Sequence, residues 1–225
     1  MKIVGKLKKS EYLLWLFSAL AIVVSFFLSG GGEILSLFSG LVGVSALIFI
    51  AKGYPICHIL FICFSILYAI ISFKLNYFGE MITYICMSMP ASIFCFISWL
   101  RHPYKSTAEV EIRKITKKDV LLTIVLTVIV TVAFYFILKV LGTANLLVST
   151  LSVATSFLAS FLSFLRSPYF ALGYVFNDVV LVVLWLIATI SDISYLSVTT
   201  CFAVFLINDV HGFISWKMMQ KRQIQ

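Results

Sequence analysis

Apolar stretches of about twenty residues, separated by short polar connections, make up most of this 225-residue chain. A stretch of about 20 residues, rising 1.5 Å each as a helix, is long enough to cross the hydrocarbon core of a bilayer. The stretches lack the alternation over about ten residues that is typical of a membrane β-barrel. The pattern therefore predicts eight transmembrane helices, near 12–29, 34–51, 55–73, 78–100, 119–141, 145–165, 168–189 and 194–217.

Turn-forming residues lie between these stretches, as expected for helix ends. They are Gly30-Gly31-Gly32, Lys52-Gly53-Tyr54-Pro55, Gly142-Thr143 and Ser167-Pro168. Composition supports the membrane assignment, because 62% of residues are hydrophobic and 12% are charged, against about a quarter charged in soluble domains. The first stretch, 12–28, is longer than the apolar core of a cleavable signal, so we expect it to remain as a helix.

The cations are distributed unevenly over the predicted connections, which indicates an orientation. With the N-terminus in the cytoplasm, Lys74 and Lys139 are the two cations that fall outside. The other fifteen fall inside: Lys2, Lys6, Lys8, Lys9, Lys52, Arg101, Lys105, Arg113, Lys114, Lys117, Lys118, Arg166, Lys217, Lys221 and Arg222. We therefore predict a multi-pass cell-membrane protein with both termini cytoplasmic. The net charge of +8 is then a topology signal that favours anionic lipid headgroups and requires no nucleic acid.

A repeated sequence divides the chain into two similar parts. Phe-Ile-Ser-Trp ends the fourth helix at Trp99 and the eighth at Trp216, and another aromatic residue, Tyr68 or Trp185, precedes each tryptophan by thirty-one residues. Two three-helix units with the same orientation need an odd number of crossings between them, which the fifth helix supplies. The pattern predicts an all-α integral membrane fold with one extra N-terminal helix and a 3+1+3 SWEET-like parallel repeat, an architecture used by transporters.

This interpretation gives the following organisation. We predict a cytoplasmic N-terminus and extra helix in 1–33, a first three-helix repeat in 34–100, a basic cytoplasmic loop in 101–118, a linking helix in 119–144, a second three-helix repeat in 145–217 and a cytoplasmic tail in 218–225. The loop 101–118 is too short to fold as a catalytic domain.

Polar residues at membrane depth are costly and normally face a bundle interior or a cavity. Asn177 and Asp178 lie in the seventh predicted helix, and Asn208, Asp209 and His211 lie in the eighth. Amides, hydroxyls and aromatic rings suit a polar solute that carries a ring. We predict that the substrate-binding residues are Asn177, Asn208, Tyr84, Ser88, Ser92, Phe170, Trp185, His211 and Tyr68.

Structural roles are the alternative for these positions. Serine and asparagine in membrane bundles often join helices by hydrogen bonds, and Asp178 or Asp209 could serve as a proton site, a cation site or a structural acceptor. Trp99 and Trp216, next to basic residues, are typical of the interfacial aromatic belt. Glu80 could face headgroups or the outer mouth, and the five cysteines are expected to be packing residues. No metal-ligand spacing is present, and no cofactor is predicted.

Several segments resemble the nicotinamide riboside transporter (PnuC) family over roughly 34–217. They are Gly79-Glu80-Met81 with Pro90 and Trp99, Arg166-Ser167-Pro168-Tyr169 leading to Asn177 and Trp185, and Asn208-Asp209, Gly212-Phe213 and Trp216-Lys217. The resemblance implies a 3+1+3 fold, a binding site between the repeats, and facilitated diffusion of nicotinamide riboside that is trapped by cytoplasmic phosphorylation.

The chain departs from the family at expected substrate-contacting positions. Tyr84 stands where members commonly have Asn, Ser92 where they have Gln, and Phe170 and Gly173 where many have Trp. The alternative substrates are therefore another nucleoside or vitamin, namely a deoxynucleoside, thiamine or riboflavin, and after these a sugar. We expect a uniporter and not an enzyme, since no nucleophile or metal-ligand constellation accompanies the polar residues. The sequence is also compatible with a homo-oligomer.

Overall fold

A computed structural model describes residues 3–31, 34–74, 77–143 and 145–224. Within these ranges, eight helices are long and apolar enough to cross a membrane. They are α1 (Lys9–Leu28), α2 (Ile34–Ala51), α3 (Ile56–Lys74), α4 (Phe78–Arg101), α5 (Lys117–Val140), α6 (Leu146–Phe164), α7 (Phe170–Ser191) and α8 (Leu196–Ile224). Lys2, Gly32 and the predicted boundaries at 33 and 144 lie outside the described residues.

Most predicted helix ends agree with the structure to within three residues. The exception is the end of α8, which continues to Ile224 although the prediction ended at 217. The segment predicted as a tail is therefore helical as far as Ile224.

Six of the helices form a closed ring. Around the ring, α2 contacts α3, α3 contacts α4, α4 contacts α6, α6 contacts α7, α7 contacts α8, and α8 returns to α2. Two helices lie outside it: α1 packs on α2 and α8, and α5 packs on α6. Only 6% of the most apolar window of α5 is buried in the protein, so lipid must cover most of its apolar surface.

One ring helix, α4, contains a π-helical turn over Tyr84–Ser88. Pro90 follows this turn and has no N–H to donate to the carbonyl four residues earlier. A widened turn before a proline is a common response of a helix to that missing bond, and π turns are frequent at functional sites. The irregular part of α4 is therefore a candidate part of a binding site.

Both chain ends and two connections meet at one face of the ring, called here the basic face. Lys52, after α2, forms an ion pair of 3.2 Å with Glu11 of α1. Arg222, near the end of α8, pairs with Glu109 of the α4–α5 connection. Since all these segments meet, the termini lie on the same side, as an even number of crossings requires.

The α4–α5 connection, residues 102–116, forms a strap across the basic face. The amide of Val110 donates to the carbonyl of Gly53 at 2.9 Å, and Gly53 has a φ of +67° that favours glycine. The side chain of Gln223 accepts from the Ile112 amide and donates to the Val110 carbonyl, at 2.8 and 3.0 Å. The strap explains why α8 extends beyond its apolar part, since the extra turns carry Gln223 to it.

Trp99 and Trp216 are not interfacial belt residues, so that prediction is wrong. Both side chains have 0% exposure, and their ring centroids are 5.3 Å apart inside the ring of helices. The Trp99 indole N–H donates to the Ser163 carbonyl at 3.0 Å, and the Trp216 indole N–H donates to the Ile50 carbonyl at 2.7 Å. Each tryptophan thus joins the end of one predicted three-helix unit to the first helix of the other.

Two other structural expectations need correction. Glu80 is 1% exposed and lies inside the bundle, so it does not face headgroups. Among the cysteines, Cys57, Cys95 and Cys201 are buried packing residues as predicted, whereas Cys63 and Cys86 are exposed on the outer surface of the ring. A helix that is apolar all round gives little information about which side faces the interior.

Candidate functional site

A small cavity of about 50 Å³ lies at the centre of the ring. Every ring helix contributes to its wall: Leu47, Phe61, Phe64, Ser65, Tyr84, Ser88, Ser92, Ser156, Ser160, Tyr174, Asn177, Asp178, Phe202, Phe205 and Asp209. This space holds about one or two water molecules, which is far less than a nucleoside needs. A solute of nucleoside size would therefore fit here only if the cavity widened.

Aromatic layers lie on both sides of the cavity along the ring axis. The basic-side layer consists of His58, Trp99, Phe170 and Trp216, and neighbouring ring centroids in it are 4.4 to 6.3 Å apart. The opposite-side layer consists of Tyr68, Tyr77, Trp185 and Tyr195, with spacings of 4.6 to 6.1 Å. Trp99 comes seven residues after Ser92, which places it about 10 Å along α4 from the cavity wall.

Asn177 of α7 is held at the cavity wall by two hydroxyl groups of α6. Its side-chain carbonyl oxygen accepts from Thr155 Oγ1 at 2.9 Å and from Ser156 Oγ at 2.8 Å. These two bonds fix the orientation of the amide, because they occupy its acceptor end. The amide NH₂ group is then the end of the side chain that can donate to a ligand.

Two aspartates from adjacent helices also line the cavity. The carboxyl groups of Asp178 of α7 and Asp209 of α8 lie close enough to interact directly. Their exposures are 4% and 3%, so both carboxyl groups lie in the bundle interior. Within the part of the chain that the structure describes, no group of three or more His, Cys, Asp or Glu side chains could hold a metal ion.

The sequence-predicted site residues fall into three places. Asn177, Tyr84, Ser88 and Ser92 line the central cavity. The aromatic residues among the predictions belong to the layers: Phe170 to the basic-side layer, and Tyr68 and Trp185 to the opposite-side layer. Asn208 and His211 lie outside the cavity wall and the two layers.

Asn208 faces helix α1. Its amide donates to Ser18 Oγ and to the Val204 carbonyl, each at 2.9 Å. Successive residues of a helix point about 100° apart, so Asp209 faces the cavity while Asn208 faces away from it. His211 is half-buried on the side of α8 that approaches Glu11 and Lys52.

Sequence reasoning missed the contribution of α6. Five buried serines follow one side of this helix at 149, 152, 156, 160 and 163. Their spacing of three or four residues is the signal that could have identified a polar face directed into the bundle. Ser156 and Ser160 line the cavity, and Ser160 Oγ is 3.1 Å from the hydroxyl of Tyr174.

Tyr174 also revises what the family resemblance implied for α7. Gly173 does not face the cavity, because a Cβ placed there would lie 3.0 Å from the backbone Cα of Ala159. Its neighbour Tyr174 supplies the cavity-lining aromatic ring on this helix, while Phe170 packs against Trp216 at 4.7 Å. The aromatic side chain that α7 presents to the cavity is therefore Tyr174, one residue after the expected position, Gly173.

A family model described as nicotinamide mononucleotide transporter matches residues 33–218 of this chain. The match begins at the start of α2 and extends into the last turns of α8, so it includes the whole cavity. The chain belongs to this family. Its members are transporters rather than enzymes, and this chain is accordingly a multi-pass membrane transporter of a small molecule.

Individual relatives agree with the family assignment. The nicotinamide riboside transporter PnuC of Neisseria mucosa is 27% identical over 215 residues, covering 92% of this chain and 81% of that protein. The Haemophilus influenzae protein of the same name is 22% identical over 190 residues, covering 84% of this chain and 81% of that one. The crystal structure of the vitamin B3 transporter PnuC has the same fold, with a TM-score of 0.84 and 23% identity. The match covers 98% of this chain and 96% of that one.

Proposed function

We propose that this transporter carries nicotinamide riboside across the membrane by facilitated diffusion. The observation on which the proposal depends is the central cavity, whose wall is built by all six ring helices and carries amide, hydroxyl, carboxyl and aromatic groups. A nucleoside offers matching chemistry, since its ribose hydroxyls and carboxamide form hydrogen bonds and its ring stacks on aromatic side chains. The relatives named for nicotinamide riboside support this choice of ligand.

The charge of the cavity favours the riboside over the mononucleotide named in the family description. The mononucleotide carries a phosphate group, which proteins usually bind with Arg, Lys or a helix N-terminus. Among the described residues that line the cavity there is no Lys or Arg, and Asp178 and Asp209 would repel a phosphate. The pyridinium ring of the riboside is instead a cation that this wall can accept.

Individual roles follow from the positions of the side chains. We assign the NH₂ group of Asn177 to the polar edge of the ligand, with hydroxyl groups from Tyr84, Ser88 and Ser92 completing the hydrogen bonds. We assign Tyr174, the ring that α7 contributes to the cavity wall, to stacking on the ligand. We assign Phe170, Trp185 and Tyr68 to the layers through which the ligand passes.

The two remaining predicted residues support the site from outside the cavity wall. Asn208 fastens α8 to α1 through Ser18 and so holds the neighbouring Asp209 at the wall. His211 lies near Glu11 and Lys52, and we assign it to the cytoplasmic end of α8.

We further propose alternating access between two parallel three-helix units, α2–α3–α4 and α6–α7–α8, joined by α5. Three observations support this arrangement: the units follow each other around the ring, the corresponding residues Trp99 and Trp216 touch, and so do Tyr68 and Trp185, at 6.1 Å. Matching residues that meet in pairs are expected at a twofold axis between two similar units. One aromatic layer would open while the other stays closed.

The basic face is proposed to be cytoplasmic. Fourteen of the fifteen cations predicted to be inside belong to described segments at this face, and positive charge is retained on the cytoplasmic side of membrane proteins. A riboside that enters by this route would be trapped once a cytoplasmic kinase adds a phosphate, because the cavity disfavours anions. Trapping then supplies a driving force for net uptake.

Other ring-bearing solutes are the alternative cargo. Thiamine is the alternative that matches the charge of the site, because its thiazolium ring is also a cation that the two aspartates can accept. Riboflavin and deoxynucleosides match the aromatic and hydroxyl groups but offer no positive charge, and a sugar would leave the aromatic wall without a ring to stack on.

Uptake by proteoliposomes tests the proposal. We expect labelled nicotinamide riboside to enter, and unlabelled riboside to compete better than thiamine, riboflavin, deoxynucleosides, glucose or nicotinamide mononucleotide. An Asn177→Ala variant should raise the KM for the riboside, since it removes a group at the cavity wall. The matched variant Asn208→Ala should instead lower the melting temperature. Absence of riboside uptake, with uptake of another solute in the panel, would reject the proposed cargo.

A further inference from the structure

The strongest unexplained feature of the cavity is the contact between its two acids. Asp178 and Asp209 come from adjacent ring helices, both are more than nine-tenths buried, and their carboxyl groups lie close enough to interact directly at the cavity wall. Among the described residues, no N–H or O–H group outside the pair donates to Asp178 Oδ2. This oxygen can therefore interact with Asp209 or with a solute in the cavity.

The contact itself requires a proton. An ionised carboxylate has no donor, so two carboxyl groups can share a hydrogen bond only when one of them is protonated. With one proton between two acids, the pair has a net charge of −1. No Lys, Arg or His is among the described residues that line the cavity and could neutralise this charge.

The other titratable groups near the pair come from several elements. They are the phenols of Tyr84 on α4 and Tyr174 on α7, the thiols of Cys201 on α8, Cys57 on α3 and Cys95 on α4, and the carboxyl group of Glu80 beyond Tyr84. The wall residues from α2 and α6 are Leu47, Ser156 and Ser160, which do not titrate. Phenols and thiols are uncharged when protonated, so none of them supplies a positive charge to the pair.

Joining α7 to α8 does not by itself explain two buried acids. A second contact joins the same helices near the end of α7 and the start of α8. It is an uncharged pair, Thr189 and Thr199, whose hydroxyl oxygens are 2.7 Å apart. Buried ionisable groups are costly in a membrane bundle, and those that are present usually mark a substrate or ion pathway. The acid pair is therefore better explained by a ligand than by helix packing.

On the basis of the proposed function, we propose that Asp178 and Asp209 form the subsite for the positively charged ring of the substrate, and that their shared proton leaves when the ring binds. The charges balance. The empty pair with its proton carries −1, and two carboxylates with one bound cation also carry −1. In this step the O–H bond breaks, the electron pair stays on the carboxylate oxygen, and the proton passes to water.

This exchange makes substrate charge the basis of selectivity. A cation can replace the proton without changing the total charge of a buried site, whereas a neutral ring of the same shape has no charge with which to displace it. Cation binding should therefore be linked to proton release, and its apparent affinity should fall at lower pH. At full exchange, the dissociation constant rises about tenfold for each unit of pH decrease.

Proton release on binding tests the inference with the unmodified protein. Detergent-purified transporter in weak buffer at pH 7 is mixed with nicotinamide riboside or with benzamide riboside. Benzamide riboside is the neutral isostere, in which carbon replaces the ring nitrogen. A soluble pH dye records the change in the pH of the solution. We expect up to about one proton released per bound nicotinamide riboside and none per bound isostere. Binding of the cation without proton release would overturn the inference.

Variants then test whether the released proton comes from Asp178 and Asp209. In the Asp178→Asn/Asp209→Asn protein we expect no proton release, and at least a tenfold loss of the preference for nicotinamide riboside over the isostere. Thr189→Val, which removes a hydrogen bond between the same helices away from the cavity, should keep both properties. Isostere binding shows whether each variant is folded. A double variant that binds the isostere and still releases a proton with the cation would refute the assignment.

The proposed function and this inference can fail separately. If nicotinamide riboside does not bind but thiamine binds with proton release, the proposed cargo is wrong and the cation subsite is supported. If nicotinamide riboside is transported without proton release, the cargo is supported and the inference is wrong.

Discussion

The basic-side aromatic layer gives a prediction that can be worked through quantitatively. Trp99→Phe and Trp216→Phe each keep an aromatic ring in the layer but remove an indole N–H that joins the two three-helix units. If the layer closes the cavity toward the basic face, each change should favour the open state of that side. The two variants should act alike, because the two hydrogen bonds occupy corresponding positions.

The size of the effect follows from the carbonyl acceptors. Ile50 O also accepts from the Gly53 amide at 2.9 Å, and Ser163 O also accepts from the Arg166 amide at 2.9 Å. Neither carbonyl is left unsatisfied by the substitution, so the cost is that of one ordinary hydrogen bond, about 1 kcal/mol. That free energy raises the open-to-closed ratio about fivefold, and the loss of ring contacts adds to it.

Alkylation of Cys95 measures this ratio. Cys95 lies one turn before Trp99 on α4 and is 2% exposed, so a reagent reaches it only when the layer opens. The measurement uses a background in which the other four cysteines are replaced: Cys57, Cys63, Cys86 and Cys201. With a small, water-soluble thiol reagent applied from the basic face, we expect each tryptophan variant to react about fivefold faster than its parent.

A tryptophan on the outside of the ring provides the control. Trp15 of α1 also donates an indole hydrogen bond, at 3.0 Å to Ser45, but it is remote from the layer. Trp15→Phe should therefore leave the alkylation rate of Cys95 unchanged. If the Trp99 and Trp216 variants react at the same rate as Trp15→Phe, the layer does not close the cavity and the reasoning is wrong. In the double variant, departure from additive effects would measure the coupling between the two rings in contact.

Two further predictions concern helices α6 and α7. Thr155→Val removes a hydroxyl that contacts Asn177, so it should raise the KM for the transported nucleoside a few-fold. Both Thr155 and Thr150 also contact a backbone carbonyl of their own helix, so Thr150→Val controls for the loss of that contact and should leave the KM unchanged; uptake kinetics compare the two. Gly173→Ala places a methyl group against Ala159 at 3.0 Å and should lower the free energy of unfolding by about 1–3 kcal/mol. The measurement is the melting temperature in detergent, which should fall. An unchanged melting temperature would contradict the close packing.

The existence and approximate ends of the helices could be predicted from sequence, because each apolar stretch has the length that a bilayer requires. The end of α8 could not, since its last turns are polar and are ordered by the contact of Gln223 with the strap. That contact joins segments about 111 residues apart, and no local pattern encodes it.

The rotation of each helix was much harder to predict than its position. Asn208 and Asp209 are neighbours in sequence, yet one faces α1 and the other the cavity, and a helix that is apolar all round gives no amphipathic signal to distinguish them. Trp99 and Trp216 stand beside basic residues, as belt residues do, so composition suggested the wrong environment. The equal spacing of thirty-one residues from Tyr68 to Trp99 and from Trp185 to Trp216 was better evidence for their environment. Residues of two similar units that meet at a common axis recur at the same interval in both units.

We propose that the transported nucleoside binds in the cavity enclosed by the six ring helices. The position of nicotinamide riboside in an experimentally determined structure of the complex tests this binding site directly. We predict the carboxamide or ribose next to Asn177, the pyridinium ring beside Asp178 and Asp209, and the cavity widened to hold them. Ligand bound instead at the basic face, among Lys8, Lys52 and Arg222, or in the apolar groove between α4, α5 and α6, would contradict the account.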